Sequence, residues 1–229
     1  MILLNKIKKL IEFWYFKKTF KNKFIYYTTN DAKELDELYK IRYQVYCEEY
    51  NYLDKNKYLN QKESDIYDNV SVHFVLRDKI NNNIAATVRL ILNTELGFPI
   101  EKNFKIDIHV PTRNRNSMAE ISRLVVSRKY RKRYLLLALI KGLYAYIKFN
   151  KLTHIYSVLD DKLYPTLTDI GFPFKEIGSP TTYQGITSPY ILDITEMEHS
   201  LRYTNPKLYK YIKQGLIVST KNTNQYSIY

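Results

Sequence analysis

The apolar positions change period along the chain, and each change marks an element. Leu3, Ile7, Leu10 and Trp14, with Ile11 alongside, fall at helical spacing and are interleaved with seven lysines before Phe24. Residues 1–28 therefore read as a basic amphipathic N-terminal segment. Such a helix either lies on a membrane surface or packs its apolar stripe on the domain and leaves its lysines in water. Thr29-Asn30-Asp31 forms a capping cluster with Glu34 as capping-box partner. A helix follows over about 32–50, with Leu35, Leu38, Ile41, Val45 and Tyr46 on one face. A polar stretch reaches Asp68. Residues 70–77 and 84–92 then read as strands joined by an Asn81-Asn82-Asn83 turn, a hairpin. A loop with Pro99 and Pro111 separates it from a third strand over 118–126. A basic loop at 129–133 leads into a long apolar helix over 134–149 and a strand over 153–159. Asp160 caps a short helix that ends at Gly171. Two strands near 175–177 and 190–194 and a helix near 206–215 complete the pattern. The order predicts one domain over 29–229, a mixed α/β (α+β) sheet with helices on its faces.

Composition narrows the classes. With 229 residues and 45% hydrophobic positions, the chain is long enough for one sizeable core. A single cysteine, Cys47, rules out an internal disulfide, suits a reducing compartment and excludes a Cys-rich zinc site. The lysines near the start break every apolar run, so neither a secretory signal nor a membrane span is expected. Thirty-six Lys and Arg against 23 Asp and Glu leave a formal charge of +13. This surplus reflects either a bias toward Lys, Asn, Ile and Tyr codons or an acidic or phosphorylated partner. A nucleic-acid partner would predict a recognisable module with one basic face, and none is visible.

The most informative unit is a strand, a basic loop and a helix: Glu120-Ile-Ser122-Arg123-Leu-Val125-Val126-Ser127, then Arg128-Lys-Tyr-Arg131-Lys-Arg133. Free N–H groups and the positive end of the helix dipole make such a junction a phosphate site, and five cations strengthen it. The junction resembles the acyl-CoA loop of the GNAT superfamily, Arg/Gln-x-x-Gly-x-Gly/Ala. Arg128, Arg131 and Arg133 hold its three positions, so both small residues are replaced by arginine. That crowds a pyrophosphate nest while adding charge, and suits the single phosphodiester of a phosphopantetheine arm.

Four further motifs occur in order: Arg42-Tyr-Gln-Val45-Tyr46, Glu63-Ser-Asp65-Ile-Tyr67-Asp68, Arg89-Leu90 and Glu120-Ile-Ser122-Arg123. Together with the tail from Gly171-Phe-Pro-Phe to Ser188-Pro189-Tyr190, they resemble acyl-homoserine-lactone synthases, N-acyl amino acid synthases and exosortase-associated acyltransferases. The resemblance spans about residues 30–210. A family Trp ten positions after the Arg is Tyr52 here. The resemblance implies a GNAT-like, mostly antiparallel mixed sheet with helices on both faces, and an N-acyltransferase. The donor would be acyl-ACP or acyl-CoA and the acceptor the amine of an amino acid or related small molecule. An acyl-homoserine-lactone synthase using S-adenosylmethionine is the alternative. The resemblance further implies an amine pocket shaped by Arg42, Tyr46, Asp65, Asp68, Arg89 and Ser122, with Glu120 and Arg123 catalytic. Donor binding would fall to Val125, Val126, Arg128, Arg131 and Arg133. No metal or permanently bound cofactor is required. The expected location is cytoplasmic, with residues 1–24 as a contact to an anionic membrane.

Period-two alternation places Arg123 with Ile121 on one face of its strand and Glu120 with Ser122 on the other. Glu120 is then either a carboxylate facing a cleft or a structural partner of an arginine. An α-amino group must lose a proton before it attacks, which makes Glu120 the candidate general base. Val125 and Val126 are the candidate backbone donors to the oxyanion.

Overall fold

A computed structural model describes residues 20, 22–107, 114–131, 133–182, 186–214, 217–219 and 226–228. The N-terminal helix read from residues 3–14 lies outside them. The described chain builds a ten-stranded sheet in the order β6-β8-β5-β4-β3-β2-β1-β10-β9, with β7 paired to β8.

Strand β1 (Phe24–Thr29) lies against β2 (Ser71–Asp78), and β2 against β3 (Ile84–Leu92), both antiparallel. β1 corrects the boundary drawn at residue 28, because residues 24–28 belong to the sheet. No alternation announces it, since five of its six residues are buried. The predicted hairpin turn forms, with Asn82 at φ 56° and Asp78 Oδ1 accepting from the Ile80 and Asn81 amides.

Helix α1 (Ala32–Tyr43) is capped by Asp31, whose carboxylate accepts from the Lys33 and Glu34 amides. The Glu34 carboxylate does not close the expected capping box. It accepts from the Tyr27 hydroxyl at 2.7 Å and faces Arg77, stronger partners than a main-chain amide. Residues 44–49 continue α1 as a π-helical turn.

A short helix α2 (Pro99–Asn103) stands in the stretch read as loop. β4 (Met118–Val126) runs antiparallel to β3. A crossover through α3 (Arg133–Phe149) then returns the chain to β5 (His154–Asp160), parallel to β4. α4 (Leu163–Asp169), β6 (Lys175–Glu176), β7 (Thr181–Thr182) and β8 (Ile186–Asp193) follow. Helix α5 (Ile194–Thr204) was not foreseen, although Asp193 caps it and Ile194, Met197 and Leu201 are buried at helical spacing. α6 (Pro206–Lys213), β9 (Ile217–Ser219) and β10 (Tyr226–Ile228) complete the chain.

The largest apolar cluster lies on the α3 face and includes Phe74, Leu90, Leu139, Leu143 and Leu201. Gly142 of α3 packs on Tyr26 of β1 so closely that a Cβ there would fall 2.0 Å from the ring. The opposite face carries two smaller clusters, one under α1 and one around α2. No described helix is long and apolar enough to cross a membrane.

Candidate active site

β4 and β5 are paired only from Met118 opposite His154 to Ile121 opposite Ser157. Beyond that point both strands continue unpaired with each other, to Val126 and Asp160, and the sheet opens between them. A cavity of about 440 Å³ occupies the opening and reaches both faces. On the α1 side its wall includes Tyr46, Tyr52, Arg89, Glu120, Ser122 and Arg123; beneath α3 it is apolar, with Leu139, Leu143, Ile155, Leu192 and Met197. This size is ordinary for a small-molecule site with a few convergent polar groups.

Glu120 stands one residue before the last β4–β5 pair and is 2% exposed. Burial strips its carboxylate of water and pushes its pKa up to about 7, against the pull of the Ile100 amide, which donates to Oε2 at 3.0 Å. A carboxyl that titrates near neutrality on a cavity wall is equipped to exchange protons with a ligand.

The expected face for Arg123 is wrong. β3 and β4 lose register between Thr87 and Arg89, and Arg123 sits at φ 52°, the signature of a bulge. The bulge reverses the alternation, so Arg123 joins Ser122 and Arg89 on the α1 side. There Arg42 Nε donates to Glu63 at 2.5 Å and Arg42 Nη1 to Asp68 at 2.7 Å. Arg89 Nη1 donates to Asp68 at 2.9 Å and to Asp65 at 2.6 Å. Arg123 donates to Asp65 and to Glu63, both at 3.0 Å, which closes a ring of three arginines alternating with three carboxylates. Arg89 Nε also donates to Ser122 Oγ at 2.9 Å.

Burial alone would raise the pKa of these acids. The Coulomb field of the arginines prevails and holds Glu63, Asp65 and Asp68 below the usual carboxylate range. Asp65 and Asp68, expected in the amine pocket, are paired with arginines, and Glu63 of the same motif joins them. The signal for Glu63 was present in its spacing of two before Asp65. Arg42, Asp65 and Asp68 line no part of the cavity, and Arg42 and Glu63 are fully buried. Their ring includes Arg89 and Arg123, which do line it.

The π-helical turn brings Tyr46 over the opening. Its hydroxyl, pushed up to about 12 by burial, donates to the Leu124 carbonyl at 3.2 Å, and its ring lies 5.7 Å from the Arg123 guanidinium carbon. Tyr52, at the position of the family Trp, stacks on Tyr50 with centroids 5.2 Å apart.

The backbone donors follow from the ladder. The Ser127 amide donates to the Ala85 carbonyl at 3.0 Å, so Ser127 and, two residues back, Val125 turn their main-chain groups toward β3. Leu124 and Val126 turn theirs toward the β5 side. Of the two candidate donors, Val126 faces the opening and Val125 faces β3.

Of the arginines expected at the phosphate turn, Arg128 is exposed. Arg131 pairs with Glu49, donates to the Val126 carbonyl at 3.2 Å and covers the Tyr50 ring. Neither lines the cavity. Arg133 opens α3, and its side chain lies outside the described residues.

The mixed, mostly antiparallel sheet with helices on its faces is GNAT-like in fold. An acetyltransferase of the GNAT family from Staphylococcus aureus Mu50 superposes with a TM-score of 0.50 at 17% identity, over 74% of this chain and 99% of its own. The sequence matches the family N-acyl amino acid synthase FeeM over residues 37–193, and the chain belongs to that family of acyltransferases. The solved FeeM, an N-acyl amino acid synthase from uncultured soil microbes, superposes with a TM-score of 0.56 at 12% identity, covering 78% of this chain and 94% of that one. BjaI, a CoA-dependent acyl-homoserine lactone synthase solved with SAM and isopentyl-CoA, gives 0.64 at 18% identity, covering 80% and 83%. At these identities the likeness speaks for the fold. No curated protein matches the sequence.

Proposed function

We propose that the protein moves a long-chain acyl group from an acyl carrier protein or coenzyme A thioester to the amine of an amino acid. The observation that carries this reading is Glu120: a buried carboxyl titrating near 7 that opens into a cavity crossing the sheet. The thioester carbonyl lies in the fork between β4 and β5, and its acyl tail enters the apolar passage under α3. The acceptor occupies the side of Tyr46, Tyr52 and Arg123. Glu120 in its ionised form takes a proton from the ammonium group, directly or through one water. The freed nitrogen forms a bond to the carbonyl carbon, and the oxyanion meets the Leu124 and Val126 amides. The C–S bond then breaks, and the leaving thiolate takes the second proton, which the nitrogen gives up as the amide forms. Arg128 and Arg131 flank the start of α3 as contacts for the phosphate of the donor arm.

The reading needs no metal. The enzyme works in the cytoplasm, with residues 1–24 as a contact to an anionic membrane. Mass spectrometry of lipids from cells expressing the chain is the test. N-acyl amino acids are expected; N-acyl homoserine lactones, or no new amide, overturn it.

A further inference from the structure

The length of the apolar passage can be read along its roof and its floor. Its roof is one stripe of α3 that runs from Leu136 through Leu139 and Leu143 to Ile147. Those eleven steps at about 1.5 Å each span roughly 16 Å. Its floor follows β5 from Leu159, at the fork, to Ile155. Four steps at about 3.3 Å give roughly 13 Å, so roof and floor agree.

The register fixes which end is which. β8 is antiparallel to β5, with Thr187 opposite Asp160 beside the fork and Leu192 opposite Ile155 at the far end. The Ile194 amide donates to the Thr153 carbonyl at 2.9 Å, which sets the start of α5 across that far end. The Tyr144 hydroxyl donates to Glu198 at 2.9 Å and aligns α5 antiparallel to α3. Ile194, Met197, Ile147 and Leu192 all line the passage at that end and belong to one buried apolar cluster. Met197 and Ile194 are each 3% exposed, so the first turn of α5 is buried at that end.

Resting on the acyl-transfer reading above, we propose that α5 is the plug that sets the acyl length, with Met197 as the specificity-determining residue. A saturated chain with bonds of about 1.52 Å at about 111° advances roughly 1.25 Å per bond. A passage of 13–16 Å holds about 10 to 13 such bonds, so the structure favours acyl groups of roughly 11 to 14 carbons. Each methylene buried within the passage adds about fourfold to kcat/KM, and each one beyond the plug adds nothing or clashes.

The test is competition among acyl thioesters of 8 to 18 carbons on the full-length enzyme, with products resolved by mass. The wild type is expected to peak at about 12 to 14 carbons and to fall by about tenfold or more at 16 to 18. Met197→Ala should raise the 16-to-12 ratio by about tenfold. Leu143→Trp, which blocks the roof midway, should move the peak below 10 carbons. A flat wild-type profile, or two folded variants with the wild-type profile, overturns the plug while leaving acyl transfer standing. Absence of any N-acyl product at every length overturns the acyl-transfer reading instead. If Met197→Ala does not fold, the wild-type peak and the Leu143→Trp shift decide the matter.

Discussion

The two walls of the cavity are built on opposite principles. On the α1 side, three arginines and three carboxylates close a ring in which every charge has two opposite neighbours. Under α3, the passage is walled by Leu, Ile and Met. A buried ionic ring gains little over a well-packed apolar core, yet it is costly to interrupt, because removing one member leaves buried charge without a partner. An apolar wall tolerates exchange so long as volume is kept. The ring can therefore hold Arg89 and Arg123 in one geometry, while the passage is free to vary in length and width.

The sharpest way to break this contrast is Arg42→Ala. It strands Glu63 and Asp68 in the interior, and denaturant unfolding should show a loss of about 3–5 kcal/mol. A loss below about 1 kcal/mol would mean that water reaches the ring. Next in size is Glu120→Gln. Its folded pKa, about 7, lies above the unfolded value, so the contribution of Glu120 to stability is fully present below pH 4.5 and is lost as pH rises through about 7. Between pH 5 and 9 the wild type should lose about 3 kcal/mol more than the glutamine variant. Turnover of that variant should fall by about 10²–10⁴-fold, and the limb near pH 7 in the wild-type rate profile should vanish. Equal loss of activity and stability at pH 5 would make Glu120 a structural residue. On the apolar side, Leu139→Ala removes a fully buried side chain next to an existing void, at a cost of about 2–3 kcal/mol by thermal unfolding with the donor still turned over. The smallest effect belongs to Arg131→Ala. Its pair with Glu49 is part-exposed, so stability should change by less than about 1 kcal/mol, while the donor KM rises and loses part of its salt dependence.

The same contrast explains what the sequence could reveal. The apolar passage was legible early: the period of residues 134–149 and the strand at 153–159 announce α3 and β5, and those elements form its roof and floor. The motif residues Arg42, Asp65, Asp68, Arg89 and Arg123 were also visible as a set. Their arrangement was not, because one left-handed residue at 123 turns a period-two strand out of phase, and periodicity carries no record of a bulge. The closure of the ring by Glu63 depends on chain segments 21 and 60 residues apart meeting in space. β1 was hidden for a different reason: a strand buried on both faces shows no alternation. α5 was legible in Asp193, Ile194, Met197 and Leu201 but was overshadowed by the clearer proline-initiated helix beyond it.

The contact of Gly142 with Tyr26 reaches further than its two residues. Leu139 and Leu143, which flank that glycine on α3, also roof the apolar side of the cavity. The depth to which the helix sinks onto β1 thus fixes the bore of a cavity that opens three strands away. A methyl group at position 142 would act as a shim, lifting the roof or tilting the tyrosine. The calibre of the cavity beneath α3 is in this sense gauged by a side chain that consists of a single hydrogen.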